Sequence, residues 1–226
     1  LDDPDKGAAA RELLDNANAL LDEIDAGSLL EPRGVYGVWP AWSEGDDIVL
    51  DGRGPGACVR FPMLRQQADH GDSRPNRSLA DVVAPVETSL ADHVGAFAVS
   101  VHGANELAAR FEAELDDYSA IMGKALADRL AEAFAERLHE RARREWYAPS
   151  EHLEGEELIG ERYRGIRPAF GYPACPDHSP KRELLGLLDA ERVAGITLTE
   201  SCATLPAASV SGLLLGHPQA RYFTIG

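Results

Sequence analysis

A long four-residue apolar repeat in the second half constrains this chain most. Tyr118, Met122, Leu126, Leu130, Phe134, Leu138, Ala142 and Trp146 recur every four residues, and Ile121, Ala125 and Ala133 widen the stripe. This spacing predicts one long helix over 118–146 with a core-facing side. Asp116 and Asp117 stand where an N-cap and a favourable dipole charge are wanted, and Arg141, Arg143 and Arg144 stand near the opposite end.

Around this helix the pattern keeps changing. Leu13, Ala17, Leu20, Leu21 and Ile24 predict an amphipathic helix over 8–24, stopped by Gly27. Residues 34–39 and 48–50 read as strands joined across a turn-rich 43–47, with a third short strand at 58–61. The polar 66–78 stretch, with Gly71 and Pro75, reads as a loop, and the apolar 94–101 run as a buried strand. Ser179 as N-cap and Pro180 at the first helical position open another helix, with Leu184, Leu185 and Leu188 on its apolar side and Gly195 at its end. Strands are expected at 196–198, 210–215 and 221–225. Strands and helices do not alternate regularly. The expectation is therefore α+β: one mixed domain with a central, largely antiparallel twisted sheet flanked by helices, not Rossmann-type.

Several function classes fall away. The formal net charge of −16 repels phosphate backbones, and no Lys/Arg run offsets it, so nucleic acid is a poor partner. No apolar run approaches the roughly 18 residues of a membrane span. Cys58, Cys175 and Cys202 are odd in number and far apart, which argues against a disulfide framework and points to a reducing cytoplasm. No Cys-x-x-Cys or His-x-x-x-His pair supports a metal site. The acidic start, without Met, reads as an internal piece of a longer chain or as a chain trimmed at its start.

The most unusual stretch is Gly165-Ile166-Arg167-Pro168-Ala169-Phe170-Gly171-Tyr172-Pro173-Ala174-Cys175-Pro176. Its prolines and glycines forbid a regular helix and leave backbone groups available to a ligand. Arg167 adds a planar fork that matches a carboxylate or phosphate, and Gly171 permits a flat ring to approach the backbone. On composition alone, a Pro-rich surface loop with one solvated arginine is an equal reading.

The same stretch resembles the Arg-x-x-x-Gly-Tyr signature of the reactivation domain of cobalamin-dependent methionine synthase. The resemblance extends through 107–140, Leu198-Thr199-Glu200-Ser201, Ala208-Ser209-Val210-Ser211-Gly212, His217-Pro218 and Arg221-Tyr222-Phe223. Upstream, Pro32-Arg33-Gly34-Val35 and Gly95-Ala96-Phe97-Ala98-Val99 fit as well. Nearly the whole chain is covered, in order.

That resemblance implies a role for each site residue. Arg167 grips the carboxylate of S-adenosylmethionine, the backbone around Ala169 faces its adenine, and Gly171 belongs to the same site. Tyr172 sits near the transferred methyl as the catalytic candidate. Tyr222 and Phe223, on the last strand, line the adenosine end, and Glu161 lies beside the ligand. Asp128 and Glu132, one helical turn apart, face the cobalamin-binding module; without the resemblance they read as a solvated acidic face. By the same resemblance, cobalamin is held by a separate module, since no Asp-x-His-x-x-Gly motif occurs here, and zinc belongs to other modules of the full enzyme. The implied electron donor is flavodoxin or a flavoprotein reductase. Set beside the family, the chain opens after a segment that supplies an aspartate to the ligand's amino group and stops before a helical tail. A second class stays open: a stand-alone, non-catalytic S-adenosylmethionine-binding or sensing module, to be distinguished by the flanking sequence.

Other features are set aside. Gly52-Arg53-Gly54-Pro55-Gly56 mimics a nucleotide-binding glycine loop but leads into a strand, which fits a hairpin turn. Cys175, between prolines, reads as packed rather than nucleophilic. His178 and His217 are candidates for structural hydrogen bonds near the loop.

Overall fold

A computed structural model describes residues 3, 5–52, 56–67, 71 and 74–226. In chain order the elements are α1 (Gly7–Gly27), β1 (Glu31–Glu44), β2 (Asp47–Asp51), β3 (Cys58–Pro62), β4 (Asp92–His102), α2 (Ala104–Ala113), α3 (Asp117–Ala142), α4 (Glu156–Ile159), α5 (Lys181–Leu188), α6 (Ala190–Ala194), β5 (Thr197–Leu198), β6 (Thr204–Leu205) and β7 (Ser209–Leu214). Five strands form one sheet in the order β3-β2-β1-β4-β7, every pairing antiparallel, and β5 and β6 form a small separate pair. The fold is α+β, as expected. Arg53, Gly54 and Pro55, at the centre of the expected turn, lie outside the described residues; β2 and β3 pair on either side of them, Asp51 opposite Cys58. Among the described residues no helix is long and apolar enough to cross a membrane.

Strand β4, flanked by β1 and β7, is buried on both faces, which is why it reads as an unbroken apolar run. Val94, Ala96 and Ala98 point to the side covered by α5 and α6, where Leu184, Leu188 and Ile196 complete the larger core. Phe97, Val99 and Val101 point to the opposite side, covered by α3. Alternate residues of one strand thus serve two layers.

The face that α3 turns to the sheet matches the expected stripe only in part: Met122, Leu138 and Ala142 are buried as expected, but the row nearest the sheet is otherwise a different one. Ala127, Ala131 and Ala135 are buried there, whereas Tyr118 and Ile121 are largely exposed and Leu126, Leu130 and Phe134 only half-buried. A helix axis settles close to a sheet only where its contact row is small, so the alanines face inward and the bulky residues flank them. Helix α3 starts as expected: the Asp116 carboxylate accepts the Ser119 N–H at 3.0 Å. It ends in a short π-turn, Arg143–Tyr147.

Other corrections are local. The helix expected from Ser179 to Gly195 is two, broken at Asp189, whose φ of 54° ends the first; Gly195 ends the second. Ser179 does not cap it, because its hydroxyl is turned back onto Asp177. Residues 221–225 form no strand: this extended segment is held by single hydrogen bonds from Gln67 N–H to the Ile225 carbonyl and from Ile225 N–H to the Pro173 carbonyl. Helix α2 carries no long apolar repeat and was not foreseen.

The 165–176 loop lies along the free edge of β7. Ile166 and Leu215 exchange both backbone hydrogen bonds at 3.0 Å, and Leu213 N–H donates to the Pro168 carbonyl at 3.0 Å. Proline suits this outer position because it has no N–H to leave unpaired. Gly212 makes the approach possible: a Cβ there would stand 2.2 Å from the Pro168 carbonyl oxygen and 2.8 Å from Ala169 Cα. Gly212→Ala is expected to cost about 1–3 kcal/mol of stability through that backbone collision, read as a lowered thermal midpoint. An unchanged midpoint would mean that the loop is not seated on β7.

Candidate functional site

Between α3, the 165–176 loop and the C-terminal segment lies an open cleft of about 490 Å³. Its floor is the sheet face at Phe97 and Val210. One wall is the loop at Arg167, Pro168, Ala169, Tyr172, Pro173 and Ala174; the other is Tyr222, Phe223 and Thr224, with Glu132 and Glu161 at the rim. An apolar concavity with a few convergent polar groups is the usual form of a small-molecule site.

The register of α3 decides which of its acids reach this cleft or the loop beside it. One position after each inward alanine stands a carboxylate: Asp128, Glu132 and Glu136. Two of them tie the helix to the loop. The Tyr172 hydroxyl donates to Glu132 Oε1 at 2.6 Å, and Arg167 Nη2 donates to Glu136 Oε1 at 2.9 Å. The bond to Glu132, helped by partial burial, raises the Tyr172 pKa and keeps the phenol protonated.

Arg167 is held from several sides. Its side chain is only 14% exposed. Nη1 donates to the Tyr163 hydroxyl at 2.6 Å, and its backbone N–H donates to the Tyr222 hydroxyl at 3.0 Å. A guanidinium has five N–H donors, so three remain for a ligand. Tyr222 is 41% exposed, yet its hydroxyl end is turned inward, where burial pushes its pKa to about 12.

Behind Arg167 the packing is polar and buried. The Tyr163 ring lies under the Arg143 guanidinium at 4.2 Å and meets the His139 ring edge-on at 5.2 Å. Arg143, itself 2% exposed, donates to Glu151 at 2.5 Å, and the other Glu151 oxygen accepts the Arg164 N–H at 2.9 Å. The Tyr147 hydroxyl donates to the Arg164 carbonyl, so the bond between His139 Nε2 and that hydroxyl at 2.9 Å has the imidazole as donor. This leaves Nδ1 as a bare acceptor with no partner. Burial, with the nearby charges of Arg143 and Arg167, lowers the His139 pKa to about 2 and keeps the ring neutral.

The cleft gathers Glu132, Glu161, Arg167, Ala169, Tyr172, Tyr222 and Phe223. It does not include Gly171 or Asp128. Gly171, at φ 99°, makes room for the His178 ring, which a Cβ would meet at 2.1 Å. Asp128 is exposed and borders a different depression, beside Lys124, His102 and Pro206. Cys175 is buried: its thiol donates to the Ala169 carbonyl at 3.0 Å, and burial raises its pKa to about 12. His217 accepts a local bond from Gln219 N–H and borders another depression. Sequence reasoning missed Tyr163 and Glu136. Both stand four residues from a named one, Tyr163 before Arg167 and Glu136 after Glu132, and nothing in their own surroundings distinguishes them. Among the described residues, no group of three or more His, Cys, Asp or Glu is placed to hold a metal ion.

Residues 1–226 match the sequence family described as "Vitamin B12 dependent methionine synthase, activation domain". The chain belongs to that family. Its fold is also similar to a crystal structure of the MetH reactivation domain bound to AdoHcy, at 48% identity and a TM-score of 0.93, covering 100% of this chain and 71% of the other. Membership makes this chain a domain of a methyltransferase, cobalamin-dependent methionine synthase.

The activation-domain site rests on a neutral His139, which gives stability a definite pH dependence. An unfolded chain protonates this imidazole near 6.5, whereas the folded one refuses the proton down to about 2. Stability therefore falls as pH falls below 6.5, by roughly 1.4 kcal/mol per pH unit from this residue alone. Urea unfolding between pH 7 and pH 5 is expected to show the loss setting in and approaching that slope below 6.5, and His139→Gln to flatten it. Equal slopes in the two proteins would contradict a buried neutral histidine.

Proposed function

We propose that residues 1–226 form one activation domain of a larger, multidomain methionine synthase. It binds S-adenosylmethionine in the cleft and presents the methyl group for reductive methylation of oxidised cob(II)alamin. The seat of Arg167 carries this reading: a mostly buried guanidinium with three donors to spare, at a cleft whose other walls are aromatic and acidic.

The ligand's parts find matching partners. Its carboxylate suits the Arg167 fork. Its sulfonium and amino group suit an acidic rim: two carboxylates, Glu132 and Glu161, against one guanidinium leave the lining one negative charge in excess, complementary to a ligand with one net positive charge. Its adenine suits the backbone at Ala169 and the rings of Tyr222 and Phe223. Tyr172, half exposed and tethered to Glu132, stands at the open side near the methyl group. The 48%-identical relative bound to AdoHcy, the sulfonium's demethylated product, supports the same ligand class.

Methyl transfer from a sulfonium requires little acid–base chemistry. This chain contributes orientation, and surroundings suited to a positive charge that vanishes in the transition state. The π faces and carboxylates of the cleft attract that charge. Cobalamin, carried by a separate module that docks on the α3 face at Asp128 and Glu132, supplies the metal centre that takes the methyl group. Flavodoxin or a flavoprotein reductase supplies the one electron required, and any zinc belongs to other modules.

Calorimetric titration tests the ligand and its anchor together. S-adenosylmethionine is expected to bind the chain, and Arg167→Ala to weaken binding roughly 30-fold or more through the lost charge-assisted bonds. Binding that is unchanged in Arg167→Ala would remove the carboxylate role from this residue.

A further inference from the structure

The carboxylate anchor does not orient itself. Arg167 stands in an irregular loop, with flexible bonds between its backbone and its fork. Of its two side-chain partners, Glu136 is 61% exposed and anionic; it competes with a ligand carboxylate for the same guanidinium. Tyr163 differs on both counts. It is 9% exposed, and burial raises its pKa, so it meets Arg167 as a neutral acceptor at 2.6 Å.

We propose that Tyr163 is the positioning residue that aims the Arg167 guanidinium at the ligand's carboxylate, and so sets the selectivity of the cleft for carboxylate-bearing S-adenosyl compounds. The inference rests on the assignment of Arg167 as carboxylate anchor.

The geometry around Tyr163 is built for such a task. Its ring is fixed on one face by Arg143 at 4.2 Å and at one edge by His139 at 5.2 Å. Arg143 is in turn fixed by Glu151, whose second oxygen holds the backbone of Arg164. One carboxylate therefore clamps both the residue that pins the Tyr163 ring and the chain one residue beyond Tyr163. A ring held at both face and edge gives its hydroxyl one place to be. Because Nη1 donates to that hydroxyl, the plane of the fork is set before any ligand arrives. Orientation set in advance lowers the ordering cost of binding. The hydroxyl does this without placing a negative charge where the ligand's carboxylate must go.

The test compares two ligands that differ only in the carboxylate: S-adenosylmethionine and its decarboxylated form. Affinities for each are measured calorimetrically on the 226-residue chain, on Tyr163→Phe and on Arg167→Ala. Tyr163→Phe keeps the ring and its packing but removes the acceptor. It is expected to weaken S-adenosylmethionine binding about 5- to 10-fold and to leave the decarboxylated ligand unchanged, so that the preference shrinks by that factor. Wild-type affinities in Tyr163→Phe, or an equal loss for both ligands, would overturn the proposal; the second would mark Tyr163 as packing alone. Arg167→Ala separates the two claims. If it leaves the preference intact, the anchor assignment itself fails. If it abolishes the preference while Tyr163→Phe does not, only the positioning role fails.

Discussion

The close approach of α3 to the sheet is the constraint on which the site depends. Alanines at 127, 131 and 135 form the contact row, and every carboxylate that reaches the cleft from α3 is counted from it. Because each acid stands one position after an inward alanine, the helix presents Glu132 and Glu136 to the loop in successive turns. A bulky residue in the alanine row would lift the helix and withdraw both acids together. The packing of the α3 layer and the electrostatics of the cleft are thus one arrangement.

The loop answers that arrangement from the other side. Its N-terminal part runs as an extra edge along β7, admitted by Gly212, and its C-terminal part closes in the short turn between Tyr172 and Cys175. Arg167 and Tyr172 lie five positions apart in the loop and meet carboxylates four positions apart in the helix. The buried cluster of His139, Tyr163, Arg143 and Glu151 then joins the end of α3 to the chain leading into the loop. Buried polar groups of this kind stabilise a unique geometry only when nearly all are satisfied; here Nδ1 of His139 alone among them lacks a partner.

Much of this was legible from residues. Strand β4, the hairpin of β1 and β2, and the start of α3 at Asp116 come from local pattern and capping, where each residue's own chemistry decides. The facing side of α3 did not, because the apolar repeat is broad and only the neighbouring sheet selects small residues over large ones. The break at Asp189 was hidden by Leu184, Leu185 and Leu188, whose spacing continues a helix that a single left-handed residue ends. The extended 221–225 segment resembles a strand in composition, yet its backbone bonds go to Gln67 and Pro173, neither of which belongs to a strand. Within the site, the loop residues were visible through their unusual composition and their resemblance to a family. Tyr163 and Glu136 were not, since each takes its meaning from a partner distant in the chain, or set by the fold rather than by spacing.

The measurement that most directly tests the central claim is a crystal structure of this chain with S-adenosylmethionine bound. The ligand's carboxylate should lie on Arg167, with the adenine against Ala169, Tyr222 and Phe223, and the methyl group turned toward Tyr172 and the α3 face. A ligand seated elsewhere, or one in this cleft with its carboxylate away from Arg167, would contradict the assignment of the site.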